Sequence, residues 1–156
     1  MIKNNTIFFS ILIILLPQLV GQECADYYKN GDCKSLMKSD FYLTSHSRGG
    51  VFEINTQSEI RAAFSGGHDY IVSCCTYPGF YPIHMKIIAD NEQETVLYDN
   101  MYDDYINSIG FTVDKSQIVI IRVTLLAKGV DPEDCDENRA CLGLTVQYRI
   151  TPKIGF

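Results

Sequence analysis

Apolar and polar residues alternate in short runs from residue 41 onward, and turn-forming residues separate the runs. The last run is the clearest. One face carries Leu142, Leu144, Val146, Tyr148 and Ile150, and we expect it to point inward. The other face carries Thr145, Gln147 and Arg149, and we expect it to point outward. A period of two is typical of a strand with one buried face. We therefore predict a strand over 142–150 whose first set of side chains faces the core.

The same pattern predicts eight or nine strands, which cover residues 41–44, 51–54, 58–64, 68–75, 84–89, 94–98, 109–113, 117–126 and 142–150. Turn residues lie between them, as at Gly66-Gly67, 90–93 and 114–116. The segment 118–126 is the most apolar after the N-terminus. Its length also permits a buried helix, but its β-branched residues favour a central strand.

This set of elements indicates an all-β fold with no amphipathic helix. Many short strands with turns every eight to twelve residues are typical of an antiparallel β-sandwich, and we expect a jelly-roll-like topology. Residues 23–40 form a short polar leader that carries two cysteines, and no linker divides the chain. We therefore predict a single disulfide-stabilised β-sandwich domain over residues 22–156.

The N-terminus has a different pattern. Lys3 precedes an apolar run over 7–16, Pro17 ends the run, and the small residue Gly21 follows. This order predicts a secretory signal peptide over residues 1–21, because the run is about half the length that a membrane-spanning helix needs. We expect an exported protein, periplasmic or extracellular, with no membrane span in the mature chain.

Export changes the charge balance. The 156-residue chain has a net charge of −6, and removal of Lys3 with the signal lowers it to −7 because all nineteen acidic residues follow residue 21. An acidic domain repels phosphate backbones and anionic lipid head groups. We therefore expect no nucleic-acid partner and no membrane-surface role.

Export also indicates that the six cysteines form disulfides, because disulfides form in oxidising compartments. They are Cys24, Cys33, Cys74, Cys75, Cys135 and Cys141. We expect Cys24 to pair with Cys33, and the adjacent Cys74 and Cys75 to pair with Cys135 and Cys141. The alternative is a local Cys135–Cys141 bridge with a strained bond between Cys74 and Cys75.

An acidic segment near the C-terminus is a candidate metal site. Asp131, Glu133, Asp134 and Asp136 lie in a run of five carboxylates within seven residues. Calcium needs several oxygen ligands at one point, but the spacing lacks the order of the helix-loop-helix calcium site, and a solvated loop explains the same residues. We expect no cofactor, with calcium as the single alternative.

A tyrosine-rich segment is the candidate ligand site. Tyrosines beside Asp and Asn can stack on a sugar ring and hydrogen-bond its hydroxyls, whereas the competing interpretation is that they anchor loops to the core. The candidate residues are Tyr98, Asp99, Asn100, Tyr102 and Tyr105, joined by Tyr77 and Tyr81 from the loop after residue 76.

Recognisable catalytic motifs are lacking. The histidines His46, His68 and His84 do not have zinc-binding spacing, and the segment 65–69 lacks the Gly-x-Ser-x-Gly elbow. A hydrolase that used an acid pair from separate strands would leave no sequence signature.

Several segments together resemble an uncharacterised group of exported proteins from Bacteroidota-type bacteria. They are Glu23-Cys24, Tyr27-Tyr28, Cys33, residues 47–52, Ser58-Glu59, residues 97–100 and residues 151–156. The resemblance implies a Gram-negative periplasmic or secreted setting and transfers no activity. In shape, the domain is also similar to non-catalytic sandwich domains that are appended to secreted proteases.

The sequence therefore favours a non-catalytic exported protein that binds a protein or glycan partner at one loop end, or has a structural role in the envelope. Two alternatives remain: a secreted hydrolase directed at glycans or peptides, and a calcium-stabilised adhesion module.

Overall fold

The computed structural model describes residues 24–128 and 138–152, so the predicted signal peptide, Cys135 and the four candidate calcium ligands lie outside the described residues. The strands of the described residues are β1 Tyr42–Leu43, β2 Arg48–Glu53, β3 Gln57–Phe64, β4 His68–Thr76, β5 Ile83–Ala89, β6 Val96–Asp99, β7 Ser108–Val113, β8 Gln117–Leu125 and β9 Arg139–Ile150. A short helix, α1, spans Gly31–Ser35, and 3₁₀ turns span Tyr27–Lys29 and Asn100–Asp103. None of the helices in 24–128 or 138–152 has the length and apolarity that a bilayer crossing needs.

The strands form two antiparallel sheets that pack face to face. In the five-stranded sheet, β1 and β2 both pair with β9, which is followed by β4 and β7. The four-stranded sheet has the order β3-β8-β5-β6. The order β2-β9-β4-β7 in one sheet and β3-β8-β5-β6 in the other is the strand order of a jelly roll. The predicted sandwich is confirmed, and β8 is a central strand as expected.

One strand begins earlier than its residues predict. Residues 45–50 were expected to form a turn, but β2 starts at Arg48 and includes Gly49 and Gly50. A side chain at position 49 would overlap the carbonyl oxygen of Cys24. Gly49 therefore allows the leader to approach the strand closely. In the sequence, a glycine with this role cannot be told from a turn residue.

Aromatic residues join the two sheets. Phe64 of β3 lies 4.4 Å from Tyr70 and 5.5 Å from Phe111, measured between ring centroids, so it packs on two strands of the other sheet. Inward-facing aliphatic residues of β9 are buried as predicted, including Leu144 and Val146. Ile150 was expected to face the core but is 73% exposed, because it lies at the last position of the strand.

The outward face of β9 is the main departure from the expected pattern. Thr145 and Gln147 were predicted to face solvent, yet both are almost fully buried. The polar leader lies over them. The Oε1 atom of Gln147 accepts a hydrogen bond from the Lys38 N–H at 2.8 Å, and its amide donates to the Leu36 carbonyl at 3.2 Å.

Two disulfides hold the leader in this position. Cys24 is bonded to Cys141, and Cys33 is bonded to Cys75. The expected Cys24–Cys33 bridge is wrong, as are the expected partners of Cys75 and Cys141 and the alternative bond between Cys74 and Cys75. Successive residues of a strand point to opposite faces, so Cys75 meets the leader while Cys74 faces the core.

Cys74 carries a free thiol in the described part of the chain. Its Sγ lies 3.6 Å from Sδ of Met85, and burial raises the pKa of the thiol to about 12. The expectation that Cys74 forms a disulfide is therefore wrong. A buried, protonated thiol acts as a small apolar side chain.

Gly143 tests how closely the leader packs. A methyl group at this position would lie 2.5 Å from Sγ of Cys33 and 2.8 Å from Cα of Tyr28. Overpacking against fixed backbone is costly, so we expect Gly143→Ala to lower the free energy of unfolding by about 3 kcal/mol in urea denaturation.

The matched control is Gly110→Ala in β7 of the same sheet, where the nearest atom to the added methyl group is 3.7 Å away. We expect its free energy of unfolding to stay within about 1 kcal/mol of the unchanged protein. Equal stability of the two variants would show that the leader does not pack against β9.

Candidate functional site

The segment 98–106, here called the tyrosine turn, connects β6 to β7 at one end of the sandwich. Asp99 caps its 3₁₀ turn, because a carboxylate oxygen accepts a hydrogen bond from the Met101 N–H at 3.0 Å. The same carboxylate lies 2.7 Å from Nε2 of His84 and 3.1 Å from Nζ of Lys86. Asp99 therefore ties the turn to the outer face of β5.

The charge of Asp99 is stabilised by these contacts. Burial opposes ionisation, but the Met101 N–H, His84 and Lys86 outweigh it and lower the pKa of the carboxyl group. Asp99 consequently stays ionised at neutral pH, and its stabilising contribution is lost only as the pH falls through this lowered pKa.

Asn100 fixes the backbone of the turn. Its side chain is fully buried, its Oδ1 accepts from the Met85 N–H at 2.8 Å, and its amide donates to the carbonyls of Ile83 and Ile106, each at 2.9 Å. Asp99 and Asn100 were expected to face a ligand. The structure shows that their polar atoms hold the turn, and their part in ligand binding stays a prediction.

The remaining side chains of the turn divide into two groups. Tyr102 is 81% exposed, and Met101 and Ile106 are each 43% exposed. Tyr98 instead packs against the core, where burial and the neighbouring carboxylates of Asp103 and Asp99 raise the pKa of its hydroxyl to about 12. The turn thus exposes three large side chains on an internally bonded backbone.

The chain reverses direction inside the turn. Asp104 and Tyr105 both have positive φ values, 51° and 56°, in the left-handed region that side chains other than glycine rarely adopt. Hydrogen bonds from the Tyr105 N–H to the Asn100 carbonyl and from the Ile106 N–H to the Asp103 carbonyl offset this strain. Strain of this kind often occurs at functional sites.

Tyr77 and Tyr81 lie in the loop between β4 and β5. Tyr81 packs against the core, whereas Tyr77 packs against the leader. The Tyr81 hydroxyl accepts a hydrogen bond from the Thr76 N–H at 3.3 Å, and its ring packs on the core. Tyr77 packs edge-to-face on Tyr27 of the leader at 5.0 Å. In the described ranges, no aromatic pair joins these two residues to Tyr98, Tyr102 or Tyr105.

A polar groove lies beside the turn, on the outer face of the four-stranded sheet. It has a volume of about 80 Å³ and is lined by Gln57, His84, Lys86, Arg122 and Thr124. Strand register brings them together, because His84, Thr124 and Gln57 are cross-strand neighbours and so are Lys86 and Arg122. The sequence analysis missed this groove, since the pairing of β3, β8 and β5 cannot be read from alternation.

The groove adjoins the tyrosine turn. The ring of Tyr105 contacts His84 edge-on at 5.9 Å, and Nζ of Lys128 lies 4.7 Å above the Tyr105 ring. On the opposite side, Arg122 forms ion pairs with Glu59 and Glu94. The groove is therefore lined by hydrogen-bond donors, and its histidine, lysine and arginine already contact carboxylates of the same chain.

The calcium hypothesis concerns Asp131, Glu133, Asp134 and Asp136, which lie outside the described residues. Within 24–128 and 138–152, no cluster of three or more histidine, cysteine or acidic side chains has metal-binding geometry. Calcium binding at the acidic segment stays the untested alternative to the expectation of no cofactor.

No family model matches the sequence, and a search of curated proteins found no match. Among solved structures, the chain is similar to Aeromonas hydrophila PliG, a periplasmic lysozyme inhibitor of g-type lysozyme, with 10% identity and a TM-score of 0.48. The alignment covers 72% of this chain and 91% of that chain. Similarity at this level does not indicate that the two proteins share a binding site or an activity.

Asn100 provides a test of how the turn is held. Asn100→Ala leaves the Met85 N–H and two carbonyls without their partners, so we expect the free energy of unfolding to fall by about 3 kcal/mol in chemical denaturation. The control is Asn91→Ala, which removes hydrogen bonds to Thr95 in an exposed loop and should cost less than about 1 kcal/mol. Similar losses for both variants would contradict the role given to Asn100.

Proposed function

We propose that the mature chain is an exported, non-catalytic binding protein, periplasmic or extracellular, that recognises a protein partner through the tyrosine turn. The observation that carries this proposal is the contrast between the turn's backbone and its surface. Buried Asn100 and Asp99 fix the backbone, whereas Tyr102, Met101 and Ile106 are exposed.

This contrast is favourable for binding. Tyrosine and methionine are enriched in the buried centres of protein interfaces, where a few large side chains supply most of the affinity. A loop that is already ordered loses little conformational entropy when a partner binds. Exposed apolar side chains without such a role would be a solubility cost.

The position of the leader also favours partner binding on the side of the four-stranded sheet. It covers Thr145 and Gln147 on the outward face of the five-stranded sheet, and disulfides attach it there. The four-stranded sheet keeps its polar groove open beside the tyrosine turn. Disulfides are also typical of proteins that fold in an oxidising compartment, as the proposed export requires.

The other hypotheses lack a comparable observation. The five side chains that line the groove include no carboxylate, and the carboxylates beside it, Asp99, Glu59 and Glu94, are each bonded to a basic side chain of the groove. A glycan partner would use the same exposed tyrosine, and the experiment below separates the two ligand classes.

The proposal can be tested by placing a photo-cross-linking amino acid at position 102 and exposing the folded protein to envelope extract of the producing organism. Tyr42 is the matched control, because it is a 70% exposed tyrosine on β1 of the other sheet. We expect position 102 to give one discrete protein adduct that position 42 does not give.

For the protein so identified, we expect Tyr102→Ala to raise Kd by about 10- to 100-fold, and Tyr42→Ala to leave it unchanged. Equal cross-linking at both positions would contradict the proposal. Binding to a glycan array that Tyr102→Ala abolishes, without a protein adduct, would replace the protein partner by a sugar.

A further inference from the structure

We propose that the leader is a redox-controlled cover: reduction of its two disulfides detaches it from the five-stranded sheet, while the two sheets of the sandwich stay folded. With both bridges intact, the described part of the leader, residues 24–40, covers the outward face of β9. This inference goes beyond the proposed function, because it concerns the face opposite the groove and uses no residue of the tyrosine turn.

The core of the sandwich does not include the leader. The buried apolar side chains between the two sheets, and the partly buried ones that pack against them, come from residues 52–148. None of the described leader residues belongs to this set. Within residues 24–40, Cys24 and Cys33 are the sole buried residues. The leader is therefore attached to the outside of a core that is complete without it.

The non-covalent contacts of the leader are weaker than a core contact. Gln147 bonds the leader backbone at two points, and Tyr27 packs on Tyr77 at the surface. A hydrogen bond adds little net stability, because water replaces it when the two groups separate. Thr145 favours release, since its buried Oγ1 has no hydrogen-bond partner in the described residues and would gain one from water.

The closest packing of the leader occurs at the two bridges. A methyl group at Gly143 would lie 2.5 Å from Sγ of Cys33, and one at Gly49 would overlap the carbonyl oxygen of Cys24. Close contact is thus concentrated where the leader is covalently joined to the sheet. Reduction of the bridges relaxes the unfolded chain and so lowers stability, but it removes no contact of the core.

The two bridges differ in exposure, and this difference sets the order of release. Cys141 and Cys24 are 9% and 4% exposed, whereas Cys33 and Cys75 are fully buried. Reduction by a thiol requires that a thiolate reach a sulfur atom of the bridge, so the Cys24–Cys141 bridge reacts first. Its loss frees residues 24–32, which gives the reductant access to the second bridge.

The reductant is a dithiol. For each bridge, one thiolate of the dithiol attacks a sulfur atom and forms a mixed disulfide, and its second thiol then displaces the remaining cysteine. The bridge gains two electrons and two protons and becomes two cysteine thiols, while the dithiol loses them and becomes a disulfide. The reverse exchange closes the leader on the sheet again.

Cys74 provides an internal reporter of the core. Its Sγ lies 3.6 Å from Sδ of Met85 between the sheets, and burial raises the pKa of the thiol to about 12. An alkylating reagent reaches Cys74 when the sheets separate, whereas it reaches the reduced Cys75 when the leader lifts from the outward face. Adjacent residues thus report on two different events.

The test starts from the folded, mature protein, whose accessible thiols are first blocked with iodoacetamide. Dithiothreitol then reduces the bridges at neutral pH, and after its anaerobic removal a short pulse of N-ethylmaleimide labels the exposed thiols. Tandem mass spectrometry assigns the label to each cysteine. We expect Cys75 and Cys141 to be labelled about 100-fold faster than Cys74.

Three results would overturn the proposal. Labelling of Cys74 as fast as Cys75 would show that the sandwich itself opens when the bridges are lost. Reduced Cys75 and Cys141 that stay as protected as Cys74 would show that the leader remains in place without its bonds. Bridges that resist dithiothreitol while the protein is folded would refute the redox step.

Two matched double variants test the order of release. Cys24→Ser with Cys141→Ser should speed reduction of the remaining bridge about tenfold relative to the unchanged protein, because the freed segment exposes it. Cys33→Ser with Cys75→Ser should leave the reduction rate of the Cys24–Cys141 bridge within about twofold. Equal acceleration in the two variants would contradict sequential release.

Discussion

The attachment of the N-terminal leader to the five-stranded sheet is the constraint on which the closed and open faces of the sandwich depend. Two disulfides, Cys24–Cys141 and Cys33–Cys75, join the leader to the outward faces of β9 and β4. Because each closes a long loop, they restrict the unfolded chain strongly. They also convert an outward strand face into an interior one, in which Gln147 bonds the leader backbone and Gly143 leaves room for Tyr28.

This attachment makes the two faces of the sandwich unequal. The leader occupies one face, whereas the other keeps the groove and the tyrosine turn accessible. Both of these features depend on Asp99, whose carboxylate caps the turn and orients two of the basic side chains of the groove. A single buried charge thus holds the turn and orients side chains of the groove.

The alternation of side chains predicted the strands, the sandwich and the central position of β8, because burial of one face imposes a period of two. Alternation cannot show what covers an outward face, so Thr145 and Gln147 were assigned to solvent. The bridges were mispaired because leader residues close in sequence meet different strands. The opposite directions of Cys74 and Cys75 followed from the predicted strand, and they indicate that the two cysteines meet different parts of the structure.

The candidate site was predicted in part. The tyrosine-rich segment does form an exposed turn, but Asp99 and Asn100 support it from below, since short polar side chains in a turn often bond the local backbone. The groove was beyond sequence analysis, because its residues come from three strands whose register only the fold supplies.

The claim that one face is closed and the other open is tested most directly by thiol accessibility at two outward positions of central strands, Gln147 of β9 and Thr124 of β8. Gln147→Cys and Thr124→Cys would be compared for their rates of maleimide modification, after mass mapping confirms that both native disulfides are intact. The structure predicts that the thiol at position 124 reacts many-fold faster, because Gln147 is 1% exposed beneath the leader. Equal rates would contradict the account.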